Sequence, residues 1–158
     1  MQADPLWAVD ITTPTTIYTG TEYGSNYIFL NSSLRFGTVD TEATLTGTLV
    51  FDRGGVGRLS ATTSSILNVP SVSLGLGYDL TLGSAVDQGT LVFENATFNG
   101  GSPPFPPRSS MTVAGGTVIF KDSLRVVSPF GAVQIDSGAS VVLGPSGVFF
   151  HSLSNLTG

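Results

Sequence analysis

The six residues Gly47-Thr48-Leu49-Val50-Phe51-Asp52 recur almost unchanged as Gly89-Thr90-Leu91-Val92-Phe93-Glu94 and again as Gly116-Thr117-Val118-Ile119-Phe120-Lys121. A chain that writes one strand-like phrase three times is built from a repeated structural unit. The first two copies start 42 residues apart, two steps of 21, and weaker copies start at 26, 68 and 137. In rows started at 26, 47, 68, 89, 116 and 137, the first position reads Asn26, Gly47, Asn68, Gly89, Gly116 and Ser137, residue types that favour tight turns. The third position (Ile28, Leu49, Pro70, Leu91, Val118, Ala139) and the fifth (Leu30, Phe51, Val72, Phe93, Phe120, Val141) are apolar throughout. The eighth (Ser33, Gly54, Gly75, Ala96, Ser123, Gly144) is small throughout, which predicts a second corner.

Alternate residues of a strand point to opposite faces, so positions three and five share one side and positions two, four and six the other. A unit of 21 residues cannot bury such a face alone, whereas stacked units turn each apolar position into a continuous buried ladder. At a rung spacing of roughly 4.8 Å, six units make a rod about 29 Å long. Coils of this length with apolar ladders and Gly, Asn or Ser at the corners resemble a parallel β-helix. The expected fold is therefore all-β: a single-domain parallel β-helix (solenoid) of about six 21-residue coils, right-handed. A jelly roll or sandwich is the alternative, since a period alone does not establish parallel stacking. One stacked column of Leu30, Phe51, Val72, Phe93, Phe120 and Val141 would decide between them.

Residues 1–25 fit no row and are rich in Thr, Pro and Tyr; they are expected to form an extended N-terminal arm, with the β-helix occupying 26–158. Such an arm either folds back over the open end of the first coil, protecting its edge, or docks Trp7, Tyr18 and Tyr23 on a partner. The step from the row at 89 to the row at 116 is 27 residues, six more than the others. The excess coincides with Gly100-Gly101-Ser102-Pro103-Pro104-Phe105-Pro106-Pro107-Arg108, whose prolines cannot join a ladder. A stiff loop projecting at 100–110 follows, with Phe105 at its tip and Arg108 at its base as candidate partner contacts.

The charge balance narrows function. A net charge of −5 with one lysine and five scattered arginines argues against nucleic acid as a partner, because phosphates need a basic surface. Without cysteine there is neither a disulfide nor a thiolate metal site, and the single histidine, His151, sits among aromatics. No metal or cofactor is expected. No window has the length and apolarity of a membrane span, and the N-terminus lacks a basic start followed by an apolar run, so neither membrane insertion nor ordinary secretion is expected. Position six reads Asn31, Asp52, Ser73, Glu94, Lys121 and Val142; no two carboxylates occupy neighbouring rows, contrary to the needs of paired-carboxylate hydrolysis. Glu94 and Lys121 are expected to pair across strands. The chain is thus expected not to be an enzyme.

Position four should face solvent, yet it reads Phe29, Val50, Ser71, Val92, Ile119 and Ser140. An apolar stripe along a rod marks a contact, so Phe29, Val50, Val92 and Ile119 are the candidate subunit interface of a homotrimer, closed by cyclic symmetry. A non-catalytic rod of this kind resembles, by architecture, the β-helical proteins of phage virions: small trimeric capsid decoration or cement proteins, and tailspikes. The resemblance implies a place on the capsid exterior with the major capsid protein as partner. The rival class is a surface adhesin or polysaccharide-binding β-helix, similar to polymorphic outer-membrane repeats in Phe93-Glu94-Asn95-Ala96-Thr97-Phe98.

Overall fold

The computed structural model describes residues 9–18, 26–28, 32–51, 54–99, 109–127, 131–144, 148–150 and 156–157. In chain order the strands are β1 (Val9–Ile11), β2 (Thr15–Ile17), β3 (Asn26–Ile28), β4 (Ser32–Phe36), β5 (Glu42–Thr44), β6 (Thr48–Phe51), β7 (Gly55–Ala61), β8 (Ile66–Leu74), β9 (Tyr78–Leu82), β10 (Thr90–Asn99), β11 (Ser110–Val113), β12 (Thr117–Val127), β13 (Val133–Ile135), β14 (Ser140–Leu143), β15 (Val148–Phe150) and β16 (Leu156–Thr157). No helix occurs among the described residues. Every recorded strand pair is parallel, which excludes a jelly roll or sandwich built from antiparallel hairpins.

The strands form two sheets, one ordered β1-β3-β6-β8-β10-β12-β14 with β5 and β15 attached, the other β16-β13-β11-β9-β7-β4-β2. The larger sheet is folded along its length. β5 lies on the first half of β8 (Glu42 on Ile66) and β6 on the second (Thr48 on Ser71), and β14 and β15 divide β12 in the same way. Between the halves, alternation breaks: Pro70 and Ser71 both turn outward in β8, as do Glu94 and Asn95 in β10, and the ladder slips between Phe93 and Asn95. Two successive outward residues bend a strand. Each coil therefore has three faces, the first and second separated by this corner and the third supplied by the smaller sheet.

This is a β-solenoid of about four turns: β5 to β7, β8 with β9, β10 with β11, and β12 with β13, extended at one end by β1 to β4 and at the other by β14 to β16. All three faces send alternate residues into one core. Leu67, Val69, Leu91, Phe93, Val118 and Phe120 come from the first face; Leu49, Phe51, Val72, Leu74, Ala96 and Phe98 from the second; Leu34, Phe36, Leu59, Tyr78, Leu80 and Leu82 from the third. At roughly 1.5–3 kcal/mol for each large apolar side chain fully buried, this ladder is the main stabilising term. Phe93 stacks on Phe120 with centroids 5.5 Å apart, and Phe98 meets Phe120 edge-on at 5.9 Å.

Coil length and register differ from expectation. Leu91 sits on Val118 and Phe93 on Phe120, the expected 27-residue step. Elsewhere Leu49 lies on Val72 rather than Pro70, and Phe51 on Leu74 rather than Val72; Ile28 lies on Phe51 and Val118 on Val141. Those steps are 23 residues, not 21, and the count of about six coils gives way to about four full turns. A shift of two keeps every side chain on its own face, so the alternation that revealed the strands could not set their register. From β8 to β10 the step is 24 residues, Leu91 lying on Leu67, so over two coils the slip grows to five residues and carries the near-identical copies to opposite sides of the corner: Thr48–Phe51 lies on the second face, and Thr90–Phe93 lies on the first over Ile66–Val69. The single column of six residues is reduced to its Phe93–Phe120 contact. Position eight dissolves too, with Ala96 buried inside β10 while Gly54 is in a turn at φ 64°.

The arm expected over 1–25 is not all outside the coils. β1 pairs with β3 (Val9 on Asn26) and β2 with β4 (Thr15 on Leu34), and Ile11 and Ile17 are buried. Residues 9–17 extend the ladder and cover its first edge in the form of strands.

Candidate interaction surfaces

The outer side of the first face carries two rows set by the ladder. One runs Glu42, Ile66, Thr90, Thr117, Ser140 and the next Thr44, Asn68, Val92, Ile119, Val142. Hydroxyls and amides in these rows bond along the rod: Thr117 Oγ1 lies 3.0 Å from Ser140 Oγ, and the Asn68 amide donates to Glu42 Oε1 at 2.7 Å. In the second row the polar residues stop at Asn68, and three apolar side chains follow on successive rungs. Val92 and Ile119 are half-buried, while Val142 is 47% exposed and its neighbour Leu143 48%.

Of the four expected interface residues, the structure brings together Val92 and Ile119. Val50 belongs to the second face, in a row with Ser73, Thr97 and Arg125, one corner away from Val92. Phe29 lies outside the described residues. Val142 was missed because the two-residue register shift had placed it at position six instead of beside Ile119. The similarity of Ser140-Val141-Val142-Leu143 to Thr117-Val118-Ile119-Phe120 was the available signal.

Among the expected partner contacts, Tyr18 follows β2 and is 57% exposed. Trp7, Tyr23, Phe105 and Arg108, like His151, lie outside the described residues. The expected pair of Glu94 and Lys121 is present, Oε1 to Nζ 3.9 Å with both side chains in contact with solvent.

A stronger ion pair was not expected. Arg35 on β4 reaches across β7 to the loop 83–89 and grips Asp87: Nη2 to Oδ1 is 2.7 Å, and Nε lies 3.0 Å from both oxygens. Ser60 donates to Asp87 Oδ2 at 3.2 Å, and Ser84 Oγ accepts from the Asp87 amide at 2.9 Å. The Arg35 hydrogen bonds hold the Asp87 carboxyl below its ordinary value against the opposing effect of burial, and the Arg35 guanidinium is raised by the same bonds.

No protein-family model, curated protein or solved structure matches the chain. Among the described residues no group of His, Cys, Asp and Glu is placed to hold a metal ion, and no helix is long and apolar enough to cross a membrane.

On the third face a shallow groove of about 260 Å³ is lined by Ser32, Ser33, Val56, Gly57, Arg58 and Thr81. Ser33, Arg58 and Thr81 face outward on three successive rungs. Beneath them, Gly57 has no side chain because the ring of Tyr78 occupies the space. A Cβ there would meet the Tyr78 hydroxyl and lie 2.8 Å from Cε1 and 2.9 Å from Cζ.

Proposed function

We propose that this chain is a non-catalytic structural protein that self-associates through its first face, in its specific form a homotrimeric decoration or cement protein on the exterior of a phage capsid, with the major capsid protein as partner. The observation that carries this reading is the apolar row of Val92, Ile119 and Val142 on successive outward rungs. Large aliphatic side chains on successive outward rungs form a patch rather than scattered surface hydrophobicity. A partner presenting the same strip would remove it from water, and cyclic closure would prevent open-ended growth. Tyr18, Phe105 and Arg108 are the residues proposed to meet the capsid.

Light scattering tests the assembly directly. Wild-type protein at micromolar concentration is expected as a trimer that binds capsids, and Val92→Asp with Ile119→Asp as a soluble monomer that does not. A monomeric wild type overturns the self-association. A trimer without affinity for capsids keeps the strip but removes the virion reading. The groove around Arg58 favours a second reading, a saccharide-binding surface protein.

A further inference from the structure

Arg58 differs from Arg35, the other described cation in the groove-bearing half of the rod. Arg35 is paired with Asp87 through Nε and Nη2, whereas Arg58 makes no hydrogen bond or ion pair among the described residues. Asp87 already has both carboxylate oxygens occupied by Arg35 and Ser60. Ser33 and Thr81, on the rungs either side of Arg58, likewise spend their hydroxyls on no described neighbour. Three hydrogen-bonding side chains at a rung spacing of roughly 4.8 Å thus converge on one groove with no hydrogen-bond partner among the described residues. Val56, 49% exposed, adds an apolar wall beside them.

We propose that this groove binds one carboxylate-bearing sugar residue of an acidic glycan. The guanidinium is a planar fork suited to a carboxylate; the Ser33 and Thr81 hydroxyls donate to and accept from ring hydroxyls; Val56 packs against the C–H face of the ring. The volume of about 260 Å³ falls just below the range of about 300–1,000 Å³ for larger ligands and suits a single ring. A dianionic phosphate fits less well, because Asp79 lies opposite Val56 on the next rung and the chain carries a net charge of −5. Along the rod the polar row continues with Thr112 and Gln134, so an extended glycan would run parallel to the solenoid axis. The site is on the third face and the apolar strip on the first, so it stands or falls independently of the trimer.

The test uses the full chain titrated with glucuronate, glucose and acetate, followed by calorimetry and by the Arg58 side-chain Nε–Hε resonance. Saturable glucuronate binding that moves this resonance is expected, with glucose and acetate each at least tenfold weaker. Loss of one hydrogen-bonded charge weakens such a contact by about tenfold or more, so Arg58→Gln should do so while keeping the wild-type melting temperature, as its side chain is exposed. Arg125→Gln, on the second face, should bind as wild type. Absence of glucuronate binding, acetate binding as tightly as glucuronate, or an Arg58→Gln variant with unchanged affinity would each overturn the proposal.

Discussion

Asp87 shows how one carboxylate ties separate coils together. Its loop connects β9 to β10, yet the side chain is held by Arg35 and Ser60 from β4 and β7, so three successive turns share one polar contact on the third face. The carboxylate is nine-tenths buried and the guanidinium partly open to water, and that exposure discounts the pair toward the lower end of charged hydrogen bonds. Asp87→Asn is expected to cost about 1–2 kcal/mol at neutral pH. Because the folded carboxyl titrates below its ordinary value, its contribution is fully present above the unfolded value and disappears as pH falls through the folded one. The gap in melting temperature between wild type and Asp87→Asn should therefore be constant from pH 7 to about pH 5 and close below the ordinary carboxylate value. A gap that persists at pH 2 would show that the pair is not its source.

At the scale of the elements, β7 and β9 approach so closely at Gly57 that Tyr78 fills the place of a side chain. Tyr78 is fully buried and packs against Phe51 with centroids 5.6 Å apart, so its ring has little room to give way. Gly57→Ala is expected to destabilise by about 1–3 kcal/mol through overpacking. Tyr78→Phe removes the atom nearest the added methyl, so in chemical denaturation the double variant should lose less than the sum of the two single changes. Strict additivity would mean that the two residues do not meet. Contacts of this kind were not legible in the sequence, where Gly54 marks an expected corner and Gly57 carries no signal; Gly54 does turn, but Gly57 sits inside a strand. What alternation did reveal was the inward set, Leu49, Phe51, Val72, Leu91, Phe93, Val118 and Phe120, and hence a parallel solenoid once the phrase was seen to repeat. It was blind to shifts of two and to the corner. Pro70 is informative in retrospect: it stands where β8 turns, an interior position acceptable to a residue with no N–H only because the ladder is broken there. The same limits apply to the surfaces. Val92 and Ile119 were found from their outward parity, Val50 was assigned to their row through the wrong register, and the Arg58 groove escaped because Ser33, Arg58 and Thr81 share no repeat position.

The whole molecule is a stack in which each coil rests on its neighbours, so its stability should be distributed along the axis rather than uniform. Burial among the described residues shows the gradient. Leu67 and Leu91 are completely or almost completely enclosed, and Val118 on the next rung is as well. One step further, Val141 is only half-buried and Leu143, lying on Phe120, is 48% exposed. The middle coils therefore lose two neighbours on opening, and the rung of β14 loses mainly one. Native-state hydrogen exchange should find the amides of β8 and the first half of β10 exchanging only through global unfolding, with those of β14 exchanging through a cheaper, local opening. Mutations should follow the same order. Leu91→Ala is expected to cost about 2–5 kcal/mol, and Leu143→Ala less than about 1 kcal/mol in the monomer. Association through the first face would cover Val142 and slow exchange in β14 as protein concentration rises, linking this gradient to the assembly state. Exchange in β14 as slow as in β8 at submicromolar concentration, together with equal costs for Leu91→Ala and Leu143→Ala, would mean that the stack unfolds as one indivisible unit.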